Sequence, residues 1–242
     1  MSVKTRKERE RGQREELILQ QARRLLLRDG YQAFNLDELA KAIEYSKGTI
    51  YLHFETKEDL VLGVSTQALA ERVDFFERAV QLTGRSRERM HAIGVANCQF
   101  AISHPDYFNV ELMLKSVSFW EKASRKRQEE HSMYVGKCFH TVRHLVQQAI
   151  DDGDLAKDGY TPEDVTLGLF AITMGSHIML CQSELRLLAG VTDSMTVLRR
   201  NQEVMLDGFG WRPYLKEFDY QGTDRRIFEE VFPEAEWLVQ SN

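Results

Sequence analysis

Within residues 45–53, Lys47, Gly48, Thr49, Tyr51 and His53 supply a cation, a position without a side chain, a hydroxyl, a phenol and an imidazole, and no acid interrupts them. Such groups hydrogen-bond base edges and phosphates, and Gly48 lets the backbone come close. The chemistry they suit is the reading of a DNA major groove. Lys57 stands in the first turn of a following helix, where an ammonium and free backbone N–H groups hold a phosphate together. Catalytic patterns are missing. The chain has no Gly-rich phosphate loop, no HExxH, no paired carboxylates in an apolar setting and no nucleophile motif, which disfavours an enzyme. His140 and His144 have the spacing of a metal pair, but no acid or thiol shares their side of the helix, so neither a metal nor a cofactor is expected.

Short helices must position these groups. Asn35 is a good N-cap with Glu38 three residues on, and Leu36, Leu39, Ala40 and Ile43 follow at helical spacing. Ser46 caps a second short helix whose inward face is Ile50 and Phe54, leaving the polar set above pointing outward. Thr56 caps a third, with Asp59 three residues later. A preceding helix is expected over about residues 13–29, striped by Ile18, Ala22, Leu25 and Leu26 and stopped by Gly30; residues 1–9 form a basic arm.

At these positions the sequence resembles the N-terminal domain of the TetR family of transcriptional regulators. Gly30-Tyr31, Leu39-Ala40, Ser46 through Tyr51, His53-Phe54 and Lys57 through Leu60 match its signature. The resemblance implies that Asn35, Tyr45, Ser46, Lys47, Gly48, Thr49, Tyr51, His53 and Lys57 contact double-stranded DNA. It is close over about residues 1–60 and general in layout beyond them. Asn35 stands where the family usually has Thr, and Glu44-Tyr45 where it has Gly-Val. A Glu in the left-handed conformation that glycine normally takes there costs about 1 kcal/mol, so a slightly reshaped turn is expected.

Length and composition fit an all-α protein with one small and one larger domain: 242 residues, 43% hydrophobic, four prolines, and helical rather than alternating periodicity. The formal net charge of −5 does not speak against DNA, because residues 1–30 hold nine cations against five acids. The expected division is a helix-turn-helix DNA-binding domain over 1–56, a helical effector-binding and dimerisation domain over 57–210, and an aromatic tail over 211–242. Cys98, Cys138 and Cys181 are three separated thiols and the N-terminus is charged, which points to a reduced, cytoplasmic protein. The uncharged stretch 165–183 carries Thr, Ser, His and Gln, so a buried helix and no membrane span is expected.

That stretch is apolar all round and must be covered on two sides. One cover is the domain core and the other a second copy of the chain, with Val165, Gly168, Ile172, Gly175 and Met179 meeting Val197 and Val204 of the helix over 193–207. Family relatives form such a four-helix bundle across a two-fold axis, which implies a homodimer on a palindromic operator. The resemblance also implies a small-molecule effector, for which Phe100, Tyr107, Trp120, His131, Tyr134, Phe170 and His177 combine aromatic surface with hydrogen-bonding groups. The expected function is repression relieved by that effector. An effector-free DNA-binding protein of chromosome organisation stays open as the alternative, with an all-α enzyme behind it.

Overall fold

The computed structural model describes residues 6–240 apart from 106, 115, 116, 158 and 182, with the side chains at 109, 112, 113, 117, 118, 180, 181, 183, 185, 186, 239 and 240 also outside the description. Cys181 therefore lies outside what can be placed in detail. Every regular element among the described residues is helical, as the periodicity implied. The helices are α1 (Arg6–Ala33), α2 (Leu36–Ala42), α3 (Lys47–Tyr51), α4 (Lys57–Ala79), α5 (Ser86–Ser103), α6 (Tyr107–Leu114), α7 (Val117–Lys122), α8 (Arg125–Asp151), α9 (Pro162–Cys181), α10 (Ser183–Leu188), α11 (Ser194–Gly208), α12 (Tyr220–Arg226) with a π-turn over Ile227–Val231, and α13 (Trp237–Gln240). The chain folds as two compact units, Met1–Leu69 with Val110–Met133, and Ala70–Asn109 with Tyr134–Asn242.

The first unit is built on α1. Its stripe of Ile18, Leu19, Ala22, Leu25 and Leu26 is buried, and Gly30 ends the regular run at φ 72° and ψ 170°, a conformation open to glycine alone at low cost. The helix begins earlier than the sequence suggested. Arg6 is already helical and pairs with Glu10 one turn on at 2.7 Å, so the basic segment carries its own helical support. Phe34, Leu39, Ile43, Ile50, Phe54 and Leu60 complete the core together with Val110, Leu114 and Phe119. Packing is tight enough that a Cβ at Gly63 would stand 2.9 Å from Leu19 and 3.0 Å from Phe54.

In the second unit, α9 starts on a reciprocal cap: Thr161 N–H donates to Asp164 at 3.0 Å, and Asp164 N–H donates back to the Thr161 hydroxyl at 3.1 Å. The C-terminal segment is part of this core rather than a coat upon it. Trp211 and Phe232 are fully buried, Ile227, Ala235 and Leu238 join the same cluster, and the Trp211 indole donates to Ser86 at 3.0 Å. Trp237 donates to Gln99 at 2.8 Å, which ties α13 to α5.

Candidate nucleic-acid interface and ligand cavity

The helix pair α2–α3 is set by its caps. Asn35 accepts the Asp37 N–H at 2.8 Å, and Ser46 accepts the Thr49 N–H at 3.1 Å while its hydroxyl also meets that of Thr49 at 2.9 Å. Between the helices Glu44 takes φ 57°, the left-handed conformation expected where glycine would be at ease. Ile50 and Phe54 are buried, which turns Tyr45, Lys47, Gly48, Thr49 and Tyr51 away from the core; Tyr45 and Tyr51 are 39% and 45% exposed. A Cβ on Gly48 would touch nothing nearer than the Ser46 hydroxyl at 3.6 Å, so the fold does not require glycine there.

Three expected contact residues are placed differently from the sequence reading. His53 is not on the outward face: its side chain is 3% exposed, with Nδ1 3.4 Å from Glu15 of α1. Lys47 is not free of acids, since its ammonium pairs with exposed Asp37 at 3.0 Å. Lys57 folds back over α1. It donates to the Tyr31 carbonyl at 2.6 Å and lies 4.4 Å above the Tyr31 ring, and burial holds its pKa below the ordinary lysine value despite neighbouring Glu58. This donation leaves the ammonium two further donor positions at the start of α4. Thr56 accepts the Asp59 N–H at 3.0 Å there, and buried Asp59 in turn accepts from Ser124 N–H at 2.6 Å, which anchors this end of α4 within the unit.

The residues expected to form one ligand pocket fall in two places. Trp120 and His131 belong to the first unit, where their rings meet edge to face at 5.7 Å and His131 Nε2 lies 3.5 Å from buried Glu111. The cavity is in the second unit. It holds about 40 Å³ of open space between α4, α5, α8, α9 and α11, with Phe76, Ile93, Val142, Leu169, Phe170 and Leu206 as its apolar wall. Of the expected residues only Phe170 lines it. Tyr134 packs on the surrounding core, Tyr107 stands edge-on to Phe100 at 4.9 Å, and His177 stacks on Phe108 at 3.9 Å.

The polar wall was missed from sequence. It consists of Arg72, Asn97, Thr173, Gln202 and Glu203, with Gln202 donating to Thr173 at 2.8 Å. Arg72 is 4% exposed and donates to Asn97 Oδ1 at 2.6 Å, while the Asn97 amide nitrogen lies 3.1 Å from His177 Nε2. Burial and the Arg72 charge push His177 down to about 4, so the imidazole is neutral and accepts from Asn97. Rings of Phe76, Phe100 and Phe170 surround the guanidinium at 5.4–5.7 Å. Each desolvated cation–π contact gives about 2 kcal/mol, so the three together offset much of the several kcal/mol that burying an ion costs, without supplying a counter-charge. Glu203 is committed elsewhere: Oε1 meets His91 Nδ1 at 2.6 Å and Oε2 meets Arg87 at 2.6 Å. Those two cations overcome the effect of burial and hold the carboxyl down at about 2.

Faces of α9 are also resolved. Val165, expected at a subunit interface, is fully buried in the unit's own core, and Gly168 faces Phe209 and Met205, whose atoms would lie 3.3 and 3.6 Å from a Cβ. Ile172 is half-buried. Gly175, Met179, Val197 and Val204 are exposed, together with Leu167 and Ala171, which the sequence reading passed over. Leu167, Ala171, Gly175 and Met179 repeat every four residues, so they form one bare apolar stripe along α9. His140 and His144 are exposed and stack on each other at 6.0 Å. Among the described residues no cluster of three metal-ligating side chains occurs, and no helix is long and apolar enough to cross a membrane.

Comparison with known proteins bears on the first unit above all. Residues 18–64 match the family model of bacterial regulatory proteins of the tetR family. The chain is similar to the uncharacterised helix-turn-helix transcriptional regulator YhgD of Bacillus subtilis, 32% identical over 91 residues that span 38% of this chain and 48% of that one. It is also similar to the helix-turn-helix transcriptional regulator QacR of Staphylococcus aureus, 45% identical over 47 residues that span 19% and 25%. The matched stretches thus span less than half of either relative. Among solved structures, the fold is similar to that of the transcriptional regulator FadR of Bacillus subtilis, solved with stearoyl-CoA, at a TM-score of 0.63 and 14% identity over 81% of this chain and 98% of that one.

Proposed function

Because the chain belongs to the TetR family of bacterial regulatory proteins, a family of regulators and not of enzymes, we propose that it is a homodimeric DNA-binding repressor released from an inverted-repeat operator by a small-molecule effector. The observation that carries this is the α3 surface. Lys47, Gly48, Thr49 and Tyr51 project from α3, with Tyr45 just before it, on the side opposite the buried Ile50 and Phe54, and the glycine among them has no internal packing reason to be glycine. A bare helix face of this composition fits a major groove, with Asn35 and Lys57 holding phosphates on either side.

The apolar stripe of α9, with Val197 and Val204 of α11, is the surface on which a second copy is proposed to sit. Two-fold symmetry then places the two reading helices about 34 Å apart, one turn of DNA, and makes the operator an inverted repeat. The cavity supplies the effector site. Arg72 and Phe76 on its wall belong to α4, the same helix whose first turn carries Lys57, so a ligand that favours one packing of α4 also biases the reading unit. A few kcal/mol of differential binding suffices for such a shift.

Fluorescence anisotropy of labelled duplex DNA with the full-length protein tests the reading. Affinity is expected to fall steeply with salt, because phosphate contacts dominate it. A flat salt response, or no binding to any duplex, would remove the basis for the DNA-binding role. Any effector that releases the DNA must itself bind more weakly when operator is present, by the same factor.

A further inference from the structure

We infer that the cavity takes a small monocarboxylate with an apolar or aromatic body, its carboxylate held by Arg72; this names the effector class for the function proposed above and rests on that reading for its consequence on DNA. The second unit contains two buried arginines that are treated differently. Arg87, fully buried, is neutralised by Glu203 at 2.6 Å and Asp207 at 3.0 Å, and it also donates to the carbonyls of Trp211 and Glu203. Among the described residues Arg72, 4% exposed on the cavity wall, has only the neutral Asn97 side-chain oxygen as a hydrogen-bond partner. No carboxylate among the described residues pairs with it. Glu203 shares the wall, but both its oxygens are taken by His91 and Arg87.

A buried guanidinium without a counter-ion, opening on a cavity, is matched by an anion that enters that cavity. Thr173 and Gln202 offer neutral hydrogen-bonding groups on the same wall, the Phe76 and Phe170 rings flank the guanidinium, and Leu169 and Leu206 add further apolar surface. This division into one cationic pole and an oily body selects a molecule with one carboxylate and no second charge. The open space is about 40 Å³, so a body of more than a few atoms displaces the surrounding side chains as it enters.

Isothermal titration of the full-length protein with benzoate and octanoate, each against its primary amide, tests the assignment. The amides keep shape and remove the charge. At least one acid is expected to bind at least about tenfold more tightly than its amide. Arg72→Gln should abolish that preference, and Arg72→Lys should restore part of it. Circular dichroism of each variant checks that it folds, and the comparison of acid with amide on the unaltered protein stands without any variant. Equal binding of acid and amide, no binding of either acid at millimolar concentration, or an Arg72→Gln protein that keeps the acid preference overturns the proposal. The same titrations repeated with operator DNA separate the two readings. Acids that prefer Arg72 yet leave DNA affinity unchanged uphold the ligand class and defeat the release mechanism. Amides that bind as well as the acids and still release DNA do the reverse.

Discussion

The buried charge cluster on α5, α11 and α12 makes stability depend on pH in a direction that can be worked out. His91 lies between two carboxylates, Nδ1 at 2.6 Å from Glu203 and Nε2 at 2.7 Å from Asp224, so both ring nitrogens donate and the imidazolium is the favoured form. Arg87 and Arg199 complete the cluster, the latter bonded to Asp224 at 2.7 Å and 3.3 Å from the same Nε2. Burial opposes the charge, but Glu203 and Asp224 outweigh it and raise His91 from 6.5 to about 8. That change is worth about 2 kcal/mol of folding free energy. The sign follows from the raised value. The contribution is complete below pH 6.5, where the unfolded imidazole is also protonated, and it disappears as pH rises through 8. The depressed Glu203 carboxyl reflects the same attractions and is not added. Two other buried groups stay outside this window, since His177 is neutral above about 4 and burial pushes the Cys98 thiol up to about 12. Thermal unfolding at constant ionic strength from pH 6 to 9 should therefore show a loss of about 2 kcal/mol, or roughly 4–8 °C, in the wild-type protein. In His91→Gln the loss should be absent. Parallel curves for the two proteins, or a wild type that gains stability toward pH 9, would refute the reasoning.

Gly48→Ala should leave the melting temperature within about 1 °C of wild type, as a surface change with open space around it, yet weaken DNA binding by about tenfold or more; a variant with wild-type affinity in anisotropy titrations speaks against close approach of α3. Gly63→Ala should destabilise by about 1–3 kcal/mol in urea unfolding, because its methyl would press on Leu19 and Phe54, and an unchanged midpoint contradicts that packing. Gly175→Arg, whose Cβ meets nothing within the subunit, should keep the fold but yield monomers in sedimentation, with loss of operator affinity; dimers in the variant would move the subunit interface elsewhere.

The sequence reveals those features that depend on local chemistry. Caps at Asn35, Ser46 and Thr161, the inward pair Ile50 and Phe54, and the left-handed Glu44 are visible because each needs only its own near neighbours. His53 was misplaced because helical spacing cannot show that Glu15, 38 residues away, stands ready to draw the ring inward. The phase of α9 was misread for another reason. A helix apolar on every side has no hydrophobic contrast to set its rotation, and the buried row of Val165, Leu169, Thr173 and His177 includes two polar residues satisfied by Gln202 and Asn97. The cavity is not legible because its distinguishing group is Arg72, which in sequence looks like one charged residue among many on a long helix. The tail likewise gives no hint that Trp211 and Phe232 complete a core built largely from residues far earlier in the chain.

Selection of bound fragments from a random duplex pool by the full-length protein, with Thr49→Ala alongside, tests the DNA-reading role of α3 and the two-fold arrangement together. The wild type is expected to enrich an inverted repeat with half-sites one helical turn apart, and Thr49→Ala to enrich a motif altered at the same position in each half. Enrichment of a single asymmetric site, an identical motif from both proteins, or no enrichment at all would contradict the account.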